Sequence, residues 1–346
     1  MDHIFYIVPF TSIIDQNANE ARKILEERDK NGVFLDKVVL EHHSNLTPEE
    51  ESHRHNLLAQ NWDAPVIFTT QVQFLETLFG YGTRNVRRLH QLANSVIIFD
   101  EVQSIPIRCV HLFNLALRFL AHDCGSTIML CTATQPILDK VEPPDRSLHL
   151  STEMKIIQND KELNNKLKRV ELMDARKMGG WSDEEIAKLA ISEMHDNGNV
   201  LVIVNTKDAA KSLFMEISSR CDVDLYHLST SMCPAHRLNV INEIKEKLTK
   251  KTPLICVSTQ LIEAGVDIDF GAVIRYLAGL DSIVQAAGRC NRQGVRTTLG
   301  TVTVLNPIKE NLERLKDIQI GKNITERVWQ EFSTHPEDFE NDRIGI

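Results

Sequence analysis

Runs of four or five apolar residues recur along this chain, separated by longer stretches whose apolar positions repeat every three or four residues. The runs read as buried parallel strands and the stretches as amphipathic helices, so the pattern predicts an α/β fold. Ile4 to Val8 is the first run; Pro9 ends it, and Thr11 or Ser12 caps a helix with Ile13, Ile14, Ala18, Ala21, Ile24 and Leu25 on its apolar side. Val33 to Leu40 follows as a strand, then Val66 to Phe68, which passes through Thr69-Thr70-Gln71 into a helix carrying Val72, Phe74, Leu75, Leu78 and Phe79. Val96 to Phe99 is another strand, Cys109 to Ala121 a helix and Thr127 to Cys131 a strand. Between Glu142 and Lys166 the rhythm lapses in a charged stretch containing Pro143-Pro144. It resumes with strands over Val170–Met173, Val200–Val204, Asp224–Leu228, Leu254–Val257, Ala272–Tyr276 and Thr301–Leu305, helices over Asp183–His195 and Lys207–Ile217, and a helix capped by Asp281. The expectation is two parallel-sheet domains in tandem: residues 1–150, a connection over 151–167, residues 168–306, and a helical tail over 307–346.

Composition narrows the setting. With 346 residues, 42% of them hydrophobic, there is material for two cores. No apolar run approaches the roughly 18 residues of a membrane span. Met1-Asp2-His3 does not open a signal peptide, so a cytoplasmic protein with no membrane partner is expected. Seven cysteines scattered without a CxxC pair argue against a disulfide framework or zinc site. A net charge of −9 gives no global attraction for nucleic acid, so any such binding needs local patches and backbone donors.

Candidate chemistry sits where strands end. Asp100 and Glu101 follow Val96–Phe99 directly, which places two carboxylates at the ligand-binding edge of a parallel sheet. That is the Walker B arrangement, in which an Asp holds Mg²⁺ and the next Glu polarises the water attacking a γ-phosphate. An ordinary strand followed by a solvated acidic turn is the alternative reading of the same pair. Thr132-Ala133-Thr134 at the next strand end can bond to those acids, and Thr69 and Thr70 at a helix mouth suit phosphate oxygens or simple capping. Arg84, Arg87 and Arg88 form a basic cluster that reads most simply as a solvated helix face, and His42, His43, His53 and His55 a histidine-rich polar connection. Arg289 and Arg292, three apart, are expected to present two guanidiniums from one helical face to one anion.

The order of these pieces resembles superfamily-two helicases, and more closely the CRISPR-associated helicase-nuclease of type I interference systems. Pro9 to Ile14 is similar to motif Ia, Phe68-Thr69-Thr70 to the next nucleic-acid motif, Asp100-Glu101-Val102-Gln103 to motif II and Thr132-Ala133-Thr134 to motif III. Val204-Asn205-Thr206 is similar to motif IV, Ser258 through Asp267 to motif V, and Gln285 through Arg292 to motif VI. The resemblance implies two RecA-like domains and ATP-driven unwinding, with 3′ to 5′ translocation on single-stranded DNA displaced by a crRNA-guided surveillance complex. It implies catalytic roles for Asp100, Glu101, Gln103, Gln285, Arg289 and Arg292, with Asp100 and Glu101 on Mg²⁺. ATP contacts fall to Gly265, Asp267, Arg289 and Arg292, coupling to Thr132 and Thr134, and DNA phosphates to Pro9, Thr11, Ser12, Thr69, Thr70, Thr206 and Thr259. The sequence also departs from that family: it holds no GxxxxGK[ST] loop and no HD nuclease signature, so the first domain is expected to be truncated at its N-terminus, with a separate chain as a candidate source of both parts. The alternative reading is an ATPase-inactive module that binds nucleic acid or a partner.

Overall fold

The computed structural model describes residues 2–9, 11–27, 38–43, 58–132, 136–263, 266–296 and 298–334. They form two compact units, Met1–Ile156 and Ile157–Ile346, each built on its own parallel sheet.

The first unit has strands β1 (Ile4–Val8), β2 (Val39–His42), β3 (Val66–Thr70), β4 (Val96–Phe99) and β5 (Thr127–Leu130). Their spatial order is β2-β3-β1-β4-β5, with every pairing parallel. Parallel neighbours need crossovers, and α1 (Thr11–Leu25), α2 (Gln71–Phe79) and α3 (Val110–His122) supply three of them. Alternation along β1 sends Phe5 and Ile7 to one face, where they join Ile67, Phe74, Ile97, Phe99, Phe113 and Leu117. Val8 faces the other side with Ile14, Ala18, Val39 and Phe68.

α1 packs over β1, β2 and β3, which has two consequences. Its last turn carries no buried apolar side, so Ile24 and Leu25 are exposed where the spacing predicts burial. On β4, Val96 and Ile98 are only half-buried while Ile97 and Phe99 are fully buried; edge strand β5 exposes Thr127 and Met129. The fully buried pair of strands expected from the apolar runs is therefore covered on one face. The strand expected over Val33–Leu40 is described only as β2, because residues 28–37 lie outside the described residues.

The second unit has strands β6 (Val170–Asp174), β7 (Asn199–Ile203), β8 (Asp224–Leu228), β9 (Leu254–Ser258), β10 (Ala272–Tyr276) and β11 (Gly300–Leu305), ordered β6-β11-β10-β7-β9-β8 and all parallel. Helices α4 (Asp183–Asn197), α5 (Lys207–Ser218), α6 (Pro234–Thr249), α7 (Leu280–Ala287) and α8 (Lys316–Thr334) complete it. The central strands bury both faces, Val202, Ile255 and Ile274 against Ile186 and Leu213, and Leu201, Cys256 and Val273 against Ile268 and Ala286. α4 opens on a capping box in which Ser182 and Glu185 satisfy each other's backbone N–H groups. Gly279, not Asp281, is the N-cap of α7; Asp281 lies in the first turn. The expected tail helix α8 docks here: Thr325 donates to the Ala278 carbonyl at 2.8 Å, and a Cβ on Gly321 would sit 3.0 Å from the Gly279 Cα.

Phe99 stands edge-on to Phe74 and Phe113, with ring centroids 4.9 and 5.0 Å apart, immediately before the acidic pair. Phe99→Ala is expected to destabilise the first unit by about 3–5 kcal/mol. Denaturant unfolding followed separately in each unit checks this, since the second unit's transition should stay in place.

Candidate functional site

Asp100 is fixed by the backbone ladder running past the strand ends. Its N–H donates to the Ile7 carbonyl at 2.9 Å, and the Cys131 N–H donates to the Phe99 carbonyl at 2.8 Å. One Asp100 oxygen accepts the Tyr6 hydroxyl at 2.8 Å, and the other accepts the Glu101 N–H at 3.0 Å. Burial, with Asp100 as acceptor, pushes the Tyr6 phenol above its usual range, so it remains a donor. Glu101 itself takes a left-handed conformation, φ 52° and ψ 47°. For a residue with a Cβ this is a sparsely populated region, held here by the surrounding bonds.

Those bonds come from amides and hydroxyls. The Gln103 amide donates to the Glu101 carboxylate, and its carbonyl accepts the Thr132 hydroxyl. Gln71, buried at the start of α2, reaches toward the Asp100 and Glu101 carbonyls at 3.5 and 3.4 Å. Ser104 donates to the Gln71 side chain at 3.1 Å and to the Glu101 carbonyl at 2.7 Å. Asp100, Glu101, Gln103 and Thr132 are thus brought together, while Thr134 lies outside the described residues. Tyr6, Gln71 and Ser104 were not among the expected site residues. A tyrosine interrupting the apolar run Ile4–Val8 was the available signal for the first.

The expected phosphate-gripping hydroxyls are mostly committed within their own unit. Thr69 is fully buried and donates to the His42 carbonyl at 3.1 Å, so its side chain cannot reach a ligand. Thr70 and Thr206 are the N-caps of α2 and α5, accepting from Gln73 and Ala209. Thr11 opens α1 beside half-buried Pro9; the Ser12 side chain is outside the described residues. Thr259 is buried, with no hydrogen bond to its hydroxyl. The basic cluster also divides, since Arg88 is buried, bonded to Gln73 at 3.1 Å and set over the Trp62 ring. His43 is buried beside Glu41, and His53 and His55 lie outside the described residues. Among the described residues no cluster of three His, Cys, Asp or Glu could hold a metal, and all seven cysteines are free thiols.

In the second unit the two arginines do not share a helical face. α7 ends at Ala287, and the chain turns before either is reached. Arg289 is buried, its Nε donating to the Ile262 carbonyl at 2.9 Å and Nη2 to the Glu263 carbonyl at 2.5 Å. Arg292 is half-exposed and pairs with Asp267 at 3.0 Å, while its N–H caps the Asp269 carboxylate. Gln285 is half-buried on α7, and Gly265 lies outside the described residues. Behind Arg289 lies a buried polar group absent from the sequence expectation. Arg275 and Glu263 form an ion pair at 2.7 Å with side chains 0% and 5% exposed, and Asn205 and Glu310 extend it.

Residues 196–295 match the family model described as CRISPR-associated nuclease/helicase Cas3, C-terminal. A CRISPR-associated nuclease/helicase Cas3 of Haloferax volcanii is 25% identical over 84% of this chain and 41% of the relative. The crystal structure of T. fusca Cas3-ATP superposes with TM-score 0.66 at 19% identity, covering 89% of this chain and 41% of that one. A chain of a CRISPR RNA-guided surveillance complex, pre-nicking, superposes with TM-score 0.58 at 17% identity over 90% and 39%. The chain thus spans less than half the length of these relatives. The two parallel sheets match tandem RecA-like helicase domains.

Burial pushes the Glu263 carboxyl up from 4.5 to about 7; Asp281 adds to the rise, while Arg275 and Arg289 oppose it. The folded chain therefore holds that proton more tightly than the unfolded chain between these values, and this group's contribution to stability falls as pH rises across them. Glu263→Gln cannot titrate. Unfolding free energies at pH 5 and pH 8 are expected to show a larger fall for the wild type than for the variant, the difference growing by at most about 1.4 kcal/mol for each pH step of one that is crossed.

Proposed function

We propose that this chain, a distant homologue over most of its length of the superfamily-two helicase-like region of CRISPR-associated nuclease/helicase Cas3, is the helicase core of a type I CRISPR effector. In this reading it couples ATP hydrolysis to translocation on single-stranded DNA and to unwinding during antiviral interference, recruited by a crRNA-guided surveillance complex. The observation that carries it is the pair Asp100 and Glu101 at the carboxyl edge of a parallel sheet, bonded through Gln103 to Thr132.

Mg²⁺ is held by one or two carboxylates together with water and substrate phosphates, which is what Asp100 and Glu101 offer. When bound, it neutralises charge on the phosphates. Glu101 orients the attacking water, and Gln103 keeps its carboxylate in place. Gln285, Gly265, Asp267, Arg289 and Arg292 are the second unit's contributions to ATP, the two arginines meeting phosphate charge. Thr132, bonded to Gln103, and Thr134 pass the nucleotide state on to motion. Since Thr70 and Thr206 are spent as caps, DNA phosphates are met by backbone N–H groups around Pro9, Thr11, Ser12, Thr70, Thr206 and Thr259.

These 346 residues contain no GxxxxGK[ST] loop, so a phosphate cradle comes from chain beyond them or from a second polypeptide, which could also bring the HD nuclease. Bonds to charged groups are worth about 1.5–3 kcal/mol each, and lacking three weakens triphosphate binding on the order of 10³-fold. Residues 1–346 alone are therefore expected to release little phosphate, and fusion to a P-loop segment to restore DNA-stimulated turnover that Glu101→Gln abolishes. Ordinary turnover by residues 1–346 that vanishes in Glu101→Gln would contradict the need for a cradle. DNA binding with no turnover in any assembly would favour the inactive binding module instead. Binding to a labelled oligonucleotide is expected to be weak, sequence-tolerant and steeply reduced by salt, because phosphate contacts release counterions. Tight binding indifferent to salt contradicts this.

A further inference from the structure

Arg275 is the lone charged residue in β10, a strand otherwise made of Ala272, Val273, Ile274 and Tyr276. It is 0% exposed. Its Nη1 donates to the Asn205 side-chain oxygen and to the Tyr276 carbonyl, both at 2.6 Å, and its Nε faces Glu263 at 2.7 Å. Asn205 carries the network on. Its amide donates to the Leu277 carbonyl at 3.1 Å and to Glu310 at 3.0 Å, and its backbone N–H donates to the other Glu310 oxygen at 3.2 Å. On the opposite branch, the backbone carbonyls of Ile262 and Glu263 hold Arg289.

One guanidinium thereby touches the segments that follow β7 and β9, and Asn205 extends the link to the segment after β11, each leaving the carboxyl edge of the sheet. An apolar side chain would pack a strand interior at least as well, since desolvating an ion pair offsets much of its attraction. What an apolar side chain cannot do is bond the Asn205 loop through Nη1 while its charge faces Glu263 in the loop after β9, even with Nη2 left without a hydrogen-bond partner. We propose that Arg275 is a positioning residue: by holding Asn205 and Glu263 together, it sets the carbonyls that aim Arg289. Only the consequence for turnover rests on the helicase reading given above.

Amide hydrogen exchange on the full chain tests the positioning itself. Arg275→Lys keeps a charge for Glu263 but loses the fork. It should melt cooperatively, with exchange about 10-fold or more faster at Asn205, Glu263 and Arg289 and unchanged at Val200–Ile203 and Ile186–Met194. A uniform loss across the unit, or no change at those three amides, overturns the proposal. Glu310→Gln, at the half-buried end of the network, decides the matter should Arg275→Lys fail to fold. Faster exchange at Asn205 that extends to Glu263 supports coupling through Arg275, whereas a change confined to Asn205, or none, overturns it. In an assembly that hydrolyses ATP, Arg275→Lys is expected to lower kcat at least 10-fold with DNA affinity unchanged; an unchanged kcat overturns the link to Arg289. The exchange result stands whether or not any assembly hydrolyses ATP, so failure of this role and failure of the helicase reading are separable.

Discussion

Parallel pairing is the constraint from which the rest follows. Strands that all run one way deliver their last residues to one edge, and in the first unit the ladder continues past the strands themselves, from Asp100 to Ile7 and from Cys131 to Phe99. Asp100 arrives beside the end of β1 for that reason, within reach of a hydroxyl 94 residues earlier in the chain. Gln71 and Thr132 are delivered by β3 and β5 in the same way. The ladder rests on side chains beneath it, where Phe99 stands between two other aromatic rings. A residue buried for packing and a carboxylate at the sheet edge are therefore consecutive, and neither can shift without the other.

The two units treat charge differently. In the first, half-exposed carboxylates are held by neutral donors. In the second, charges are taken out of water, Arg275 beside Glu263, Asn205 and a carbonyl but with its Nη2 left without a hydrogen-bond partner, Arg289 between two carbonyls. In a buried network of this kind each missing partner carries a penalty.

Much of this was legible in the sequence because it is local. Val96–Phe99 and Leu254–Val257 are apolar runs with abrupt polar ends, and strands occupy those residues. The acidic pair was visible as the abrupt end of one of them. Arg289 and Arg292 were misplaced because a three-residue spacing implies a shared face only while a helix lasts. α7 stops at Ala287, just before Gly288, and tertiary bonds to Ile262 and Asp267 then decide the two orientations. Thr70 and Thr206 fit the capping alternative, which spacing alone could not separate from ligand contact. Arg275 offered a signal in the strand pattern, a charge amid apolar neighbours, but its partners lie 70 residues away at Asn205 and in the loop after β9. Such pairings belong to the fold and not to any window of sequence.

The geometry of the acidic pair depends on β1 holding Asp100 in place, and a double-mutant cycle measures that hold directly. Tyr6→Phe, Asp100→Ala and the double variant, compared by unfolding free energy of the first unit, are expected to show a coupling of about 1.5–3 kcal/mol, as for a hydrogen bond to a charged group. Effects that add within about 0.3 kcal/mol would show that the two side chains do not act on one another. The acidic pair would then be an ordinary turn at the end of a strand.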